Sequence, residues 1–166
     1  GYNLKLDSNG SNLNVNVFYS HIDYSLLTSQ KFYHADSNFN PNDSQPYLQD
    51  ITNNNNSDES KIDIDYTKTF NEKTSIEAGV SANNYFRFLD ITFAEYDYSE
   101  NAWVNHPDYS NKYDFNEAIY AGYTNLNTSF WNINASLGLR MEYTDRILQQ
   151  QSSQENYTYD KINFFP

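Results

Sequence analysis

The chain has 166 residues, no cysteine and a formal charge of −12, from 22 acidic residues against 10 Lys and Arg. The length suggests one domain or part of one. Zero cysteine excludes disulfide scaffolds, iron–sulfur clusters and thiolate zinc sites, and the acidic balance argues against a nucleic-acid partner. No apolar run reaches the roughly 18 residues of a transmembrane helix, and no basic-then-apolar leader opens the chain. Polarity and charge suggest disorder, but 16 Tyr and 11 Phe argue against it. What remains is a β-rich chain with polar loops.

In chain order, the first strand is marked by Leu4 and Leu6 alternating with Asn3, Lys5 and Asp7. The second alternates Leu13, Val15, Val17 and Tyr19 with Asn12, Asn14 and Asn16; the third sets Ile62, Ile64 and Tyr66 against Lys61, Asp63, Asp65 and Thr67. The fourth carries Ile76, Ala78, Val80 and Ala82 on one side, and continues from Phe86 to Tyr98 as a polar ladder. The fifth, from Tyr113 to Tyr123, places Phe115, Ile119 and Ala121 together less cleanly. The sixth is the clearest: from Trp131 to Thr144 every odd residue is apolar or aromatic and every even one is polar or glycine. Tyr157 and Tyr159 mark a seventh. Successive strand side chains point to opposite faces, so each segment has one apolar and one polar face. No segment carries a helical period.

The connections alternate in length. Ser8–Ser11 (with its Asn-Gly turn signal), Asn71–Lys73 and about Asn125–Ser129 are short. About His34–Ser60, Ser99–Asn111 and Leu148–Asn156 are long and polar, the first holding the run Asn53–Asn56. In an up-and-down sheet this gathers the short turns at one end and the long loops at the other, the plan of an outer-membrane barrel. About ten residues at roughly 3.3 Å, tilted near 40°, span the ~25 Å apolar band of such a barrel. Aromatic residues gather at its expected margins: Phe18, Tyr66, Phe70, Tyr123, Phe130 and Trp131 toward the short turns, and Phe32, Tyr33, Tyr96, Tyr98, Tyr113 and Phe115 toward the long loops. Interface girdles and cross-strand aromatic pairing both account for them, the loop asymmetry favouring girdles.

Several stretches carry a resemblance: Phe70-Asn71-Glu72-Lys73-Thr74, Ile76-Glu77-Ala78-Gly79, Tyr113 to Tyr123, Leu137 to Thr144, and the terminal Asn163-Phe164-Phe165-Pro166. Together they resemble the C-terminal barrel of TonB-dependent outer-membrane receptors, within the outer-membrane β-barrel family. The strand from Phe115 to Tyr123 departs from the family pattern, with Asn116-Glu117 where the family has x-Tyr-x-Glu. The resemblance covers most of the chain after about Lys61 and is weaker before it. It implies a partial barrel of about seven antiparallel strands, a single fragment over 1–166 without the plug domain. It also implies the outer membrane of a Gram-negative bacterium, contact with outer-membrane lipid, uptake of an unknown small ligand, and the TonB complex and a surface lipoprotein as partners. It implies neither enzymatic activity nor a cofactor.

The chemistry-bearing residues give no catalytic or metal signature. His21, His34 and His106 have no paired-ligand spacing. Asp36–Asn40 mimics the start of an EF-hand loop but lacks its Gly and Glu positions. The acidic residues Asp43, Asp50, Asp58 and Glu59 belong to solvated loops, with weak Ca²⁺ binding left open. The lumen-facing polar set comprises Arg140, Glu142, Glu117, Asp63 and Asp65, with Glu117 a candidate partner of Arg140 and Glu142. The ligand-binding candidates are loop aromatics and their neighbours, Trp103, His106, Tyr109, Tyr98, Phe39 and Tyr47, which suit stacking on sugars or peptides; packing between loops is the other reading. Two further function classes stay open: a soluble β-sandwich module binding carbohydrate or peptide, and a small outer-membrane barrel acting as an adhesin. An isolated fragment leaves open edges and apolar faces. It is expected to curl so that Leu137, Leu139, Ile133, Ile64 and Val80 form a core, or to dimerise through edges or faces.

Overall fold

The computed structural model describes residues 1–131 and 133–166. Its strands are β1 (Tyr2–Lys5), β2 (Asn12–Phe32), β3 (Tyr47–Asn71), β4 (Thr74–Asp97), β5 (Ala102–Asn105), β6 (Asn111–Phe130), β7 (Ile133–Gln150) and β8 (Glu155–Phe165). They form one antiparallel sheet in the order β1-β2-β3-β4-β6-β7-β8, with β5 folded back on the end of β4. The seven-strand meander matches the sequence expectation, and β5 is an addition within the second long connection. The sheet is not closed, and β1 and β8 are its edges.

The strands are longer than the sequence suggests. Tyr47 to Ser60 was expected to be loop, yet it belongs to β3, which pairs without interruption with β2 over Tyr47–Thr67 and with β4 over Gln49–Thr69. The Asn53–Asn56 run therefore lies mid-sheet, opposite Ser25–Leu26 and Tyr24–Asp23 on one side and Phe88–Ile91 on the other. Asparagine has a poor strand propensity, but two flanking strands satisfy its backbone groups and cross-strand packing overrides the local preference. Asn55 is almost fully buried, and its Oδ1 accepts a 2.6 Å hydrogen bond from Arg87 Nε. Asp50, Asp58 and Glu59 are accordingly strand residues too. The β7–β8 connection shrinks to Gln151–Gln154. The asymmetry of the two ends lies largely in strand overrun rather than in loop length.

Residues opposite one another share a face, so the register sorts the side chains. One face carries Leu137, Leu126 and Ile76; then Leu139, Ala78, Tyr66, Leu13 and Leu4; then Met141, Val80, Ile64 and Val15; then Tyr143, Tyr120, Ala82, Ile62 and Val17. On β7 the band runs from Ile133 to Tyr143, about 25 Å high at the usual tilt. The other face carries Asn, Asp, Glu, Lys and Arg at the same height.

Above this band the pattern inverts. On β2 the apolar residues are Leu13, Val15 and Val17 (odd), then Ile22, Tyr24 and Leu26 (even). On β4 they are Ile76 to Ala82 (even), with Phe86 and Phe88 still even, then Leu89, Ile91 and Phe93 (odd). On β8 they are Ile162 and Phe164 below, and Tyr157 and Tyr159 above. The pairing runs unshifted through the change, with the one irregularity far away at Thr69–Asn71. No bulge causes the switch; the residues themselves change phase. A single sheet thus presents apolar side chains on one face below and on the opposite face above.

The aromatic girdle follows this parity. Tyr120 and Tyr143 stack at 6.5 Å on the banded face, at its upper margin with Tyr19 in the next row. Tyr66 and Phe130 also lie on that face. Phe18, Tyr123, Tyr113 and Phe115 lie on the other, so they are not girdle residues, because a strand position one residue away reverses the side.

The expected inward curl does not occur. Leu137 is 75% exposed and Ile133 67%, and Leu139, Val80 and Ile64 are exposed as well. Among the described residues, the buried apolar set is Ala94 and Ala121. A single sheet has no second layer to bury them, which also removes the β-sandwich reading. These side chains form a surface whose natural cover is lipid.

Candidate functional site

Below the phase switch the charged face is a wall of paired groups. Asp65, Gly79, Tyr123 and Arg140 face each other across four strands, with Asp63, Ser81, Ala121 and Glu142 in the next row. Tyr123 Oη donates a 2.7 Å hydrogen bond to Asp65 Oδ1, crossing β4 over Gly79. A Cβ at Gly79 would collide with both the Tyr123 ring and the Asp65 carboxylate, so glycine here makes room for the bridge. Arg140 Nε donates to Glu142 at 2.6 Å, and Lys61 Nζ lies 3.2 Å from Asp63. All five residues expected on this face are there, Asp63, Asp65, Arg140 and Glu142 below the switch and Glu117 above it. The pairing differs from expectation at Glu117, which takes Arg146 Nε at 2.6 Å rather than Arg140, because Arg146 is its direct cross-strand neighbour.

At the short-turn end, Asp7 accepts from the backbone N–H groups of Asn9 and Ser11, and from Lys68 Nζ at 3.0 Å. These donors hold its carboxyl well below the usual carboxylate range. Gly10, at φ 94°, makes the turn.

The long-loop end gathers aromatic rings. Phe32, Tyr33, Pro46, Tyr47, Tyr96 and Tyr98 line an open cavity of about 480 Å³, with His34, Asp43 and Gln45 on its rim. Phe32 and Tyr47 pack at 5.7 Å, and Tyr96 meets Tyr98 at 5.1 Å and Trp103 at 5.5 Å. Asp43 accepts from the backbone N–H of His34, and His34 Nδ1 lies 2.8 Å from the same carboxylate; this depresses the Asp43 pKa. A second cluster lies beside it: His106 and Tyr109 pack on Phe93 at 5.8 and 5.3 Å, and His106 Nε2 lies 2.9 Å from Glu95. Glu95 also accepts from Tyr47 Oη, which joins the clusters.

Of the six ligand candidates, Tyr47 and Tyr98 line the cavity and Trp103 packs behind it on Tyr96. His106 and Tyr109 form the neighbouring cluster, packed on Phe93. Phe39 stands apart, 89% exposed at φ 64°, on a turn whose Asn38 and Asn40 N–H groups donate to Asp36. Sequence reasoning placed Phe32, Tyr33 and Tyr96 at the membrane margin. The usable signal was their distance from the last apolar-band residue, Val17 on β2 and Ala82 on β4, which puts them more than a dozen residues above it.

Charge divides at the phase switch. Residues 19–60, 84–118 and 145–160 carry 16 acids against 4 Lys and Arg; the rest of the chain carries 6 against 6. The whole net charge of −12 therefore sits in the long-loop half.

The sequence matches the model of the outer membrane protein beta-barrel family over residues 4–166. The chain belongs to that family. The match reaches well before Lys61, where the resemblance had faded, and places the protein in the outer membrane of a Gram-negative bacterium. The exposed aliphatic band has the height of the apolar band of such barrels. No curated protein matches the sequence.

Proposed function

We propose that this chain is wall of a TonB-dependent receptor that takes up a ligand across the outer membrane, with the long-loop end extracellular. It is a transport element and not an enzyme. The observation that carries the reading is the overrun of the strands: β2, β3, β4 and β6 have 20 to 25 residues, about twice what a span needs. A wall this tall builds a vestibule above the membrane, where a ligand is held before passage. The charged face below lines the lumen, its Arg140–Glu142 and Asp65–Tyr123 contacts meeting whatever fills the channel. The TonB complex and a surface lipoprotein are the partners proposed, both on the strength of the resemblance.

The test uses the full-length protein in native outer membranes. Solubilised protein is passed over the immobilised periplasmic domain of the host's TonB. Retention supports the reading. Passage without retention, from membranes in which the protein is correctly assembled, overturns it.

A further inference from the structure

The cavity at the long-loop end is built in a way that selects its ligand. Three of its tyrosine hydroxyls are already committed as donors: Tyr47 to Glu95, Tyr96 to Asn101, and Tyr98 to the carbonyl of Pro46 at 2.7 Å. A saccharide needs several hydrogen-bonding edges beside a stacking plane, and with three tyrosine hydroxyls and the His34–Asp43 pair already bonded, Gln45 and the Tyr33 hydroxyl are the main edges left. What stays on offer is ring surface, in a half of the protein that carries −12. Ring faces are electron-rich, and donation to a carboxylate makes a phenol ring more so, which favours a cation above it.

The chain contains its own precedent. Lys31 Nζ lies 5.1 Å above the Tyr33 ring, beside the cavity. Its ammonium is held above the ordinary lysine pKa by the Tyr33 hydroxyl, with Tyr98 adding to the effect.

We infer that the cavity lined by Phe32, Tyr33, Tyr47, Tyr96 and Tyr98 binds a small organic cation, an alkylammonium carried on a compact apolar body. The volume of about 480 Å³ accommodates such a body. Asp43 on the rim and Glu95 behind Tyr47 supply opposite charge without entering the ring set. Lys31 competes for the Tyr33 ring. The inference rests on the transport reading only in placing the cavity outside the cell.

The probes are choline, its neutral isostere 3,3-dimethylbutan-1-ol, and maltose, titrated into the intact protein in lipid nanodiscs. Calorimetry gives affinity, and Trp103 fluorescence reports locally through its contact with Tyr96. Choline is expected to bind about tenfold more tightly than the isostere. Tyr98→Leu and Tyr33→Leu should each weaken choline several-fold, and Lys31→Met should tighten it. Equal affinity for the isostere, binding of maltose without choline, or weaker choline binding in Lys31→Met would each overturn the inference. Variants that lose choline yet are still retained by TonB separate this cavity from the transport reading, which would stand even if choline failed to bind the parent protein.

Discussion

The lower and upper halves of the same sheet obey opposite rules. Below, aliphatic side chains share one face and paired charges the other, the division expected of a wall between lipid and a wet lumen. Above, both sides meet water, and most of the apolar residues cross to the other face, Phe86 and Phe88 excepted, while acids stand on both. The backbone is continuous through the change, so the solvent on each side, rather than any break in the ladder, accounts for the pattern. A strand's polarity reports its surroundings at each height separately.

The largest expected effect comes from violating the lower rule. Leu139→Arg, near mid-band, should cost about 2–4 kcal/mol of stability, measured by urea unfolding of the full-length protein in lipid vesicles. Ser25→Arg, on the same face above the band, should stay within about 0.5 kcal/mol. Equal costs at the two sites would erase the distinction between the halves.

Inside the lumen, Gly79→Val should cost about 1–3 kcal/mol, because its side chain displaces the Tyr123–Asp65 bridge. Tyr123→Phe removes only the hydrogen bond and should cost less, about 1–2 kcal/mol. The double variant should cost less than the two added, since both act on one contact.

The smallest effect is at the short turn. Asp7 has a depressed pKa in the folded chain. Its contribution is therefore complete above the ordinary aspartate value of 3.8 and is lost only as pH falls below it. Amide exchange at Asn9 and Ser11 should be slow at pH 6 and quicken on acidification beyond the change expected from intrinsic exchange. In Asp7→Asn that additional pH dependence should disappear.

Much of this was legible in the sequence. The alternation from Ile133 to Tyr143 marked both the strand and its apolar face, and Arg140, Glu142, Glu117, Asp63 and Asp65 share the opposite face, as period two implies. The Asn53–Asn56 run was opaque, since its propensity says loop and only the neighbouring strands make it sheet. The apolar residues above the band were present but misread, because Ile22, Tyr24 and Leu26 break the phase of Val15 and Val17, and a broken phase resembles loss of pattern. The aromatic cavity was legible only in part: Tyr47 and Tyr98 stood among the loop candidates, but their meeting with Phe32 depends on how β2, β3 and the end of β4 are aligned, which sequence spacing does not contain.

The phase switch itself can be observed directly. Because the chain has no cysteine, single cysteines placed in turn from Ile76 to Phe93 in a cysteine-free full-length background can carry a nitroxide label in lipid bilayers. Oxygen, which concentrates in lipid, should relax the labels at 76, 78, 80 and 82. At 90 and 92 the even positions should instead respond to a water-soluble nickel chelate, as should 89, 91 and 93 on the other face, which also meets water. Oxygen contact persisting at even positions through 92 would contradict the account.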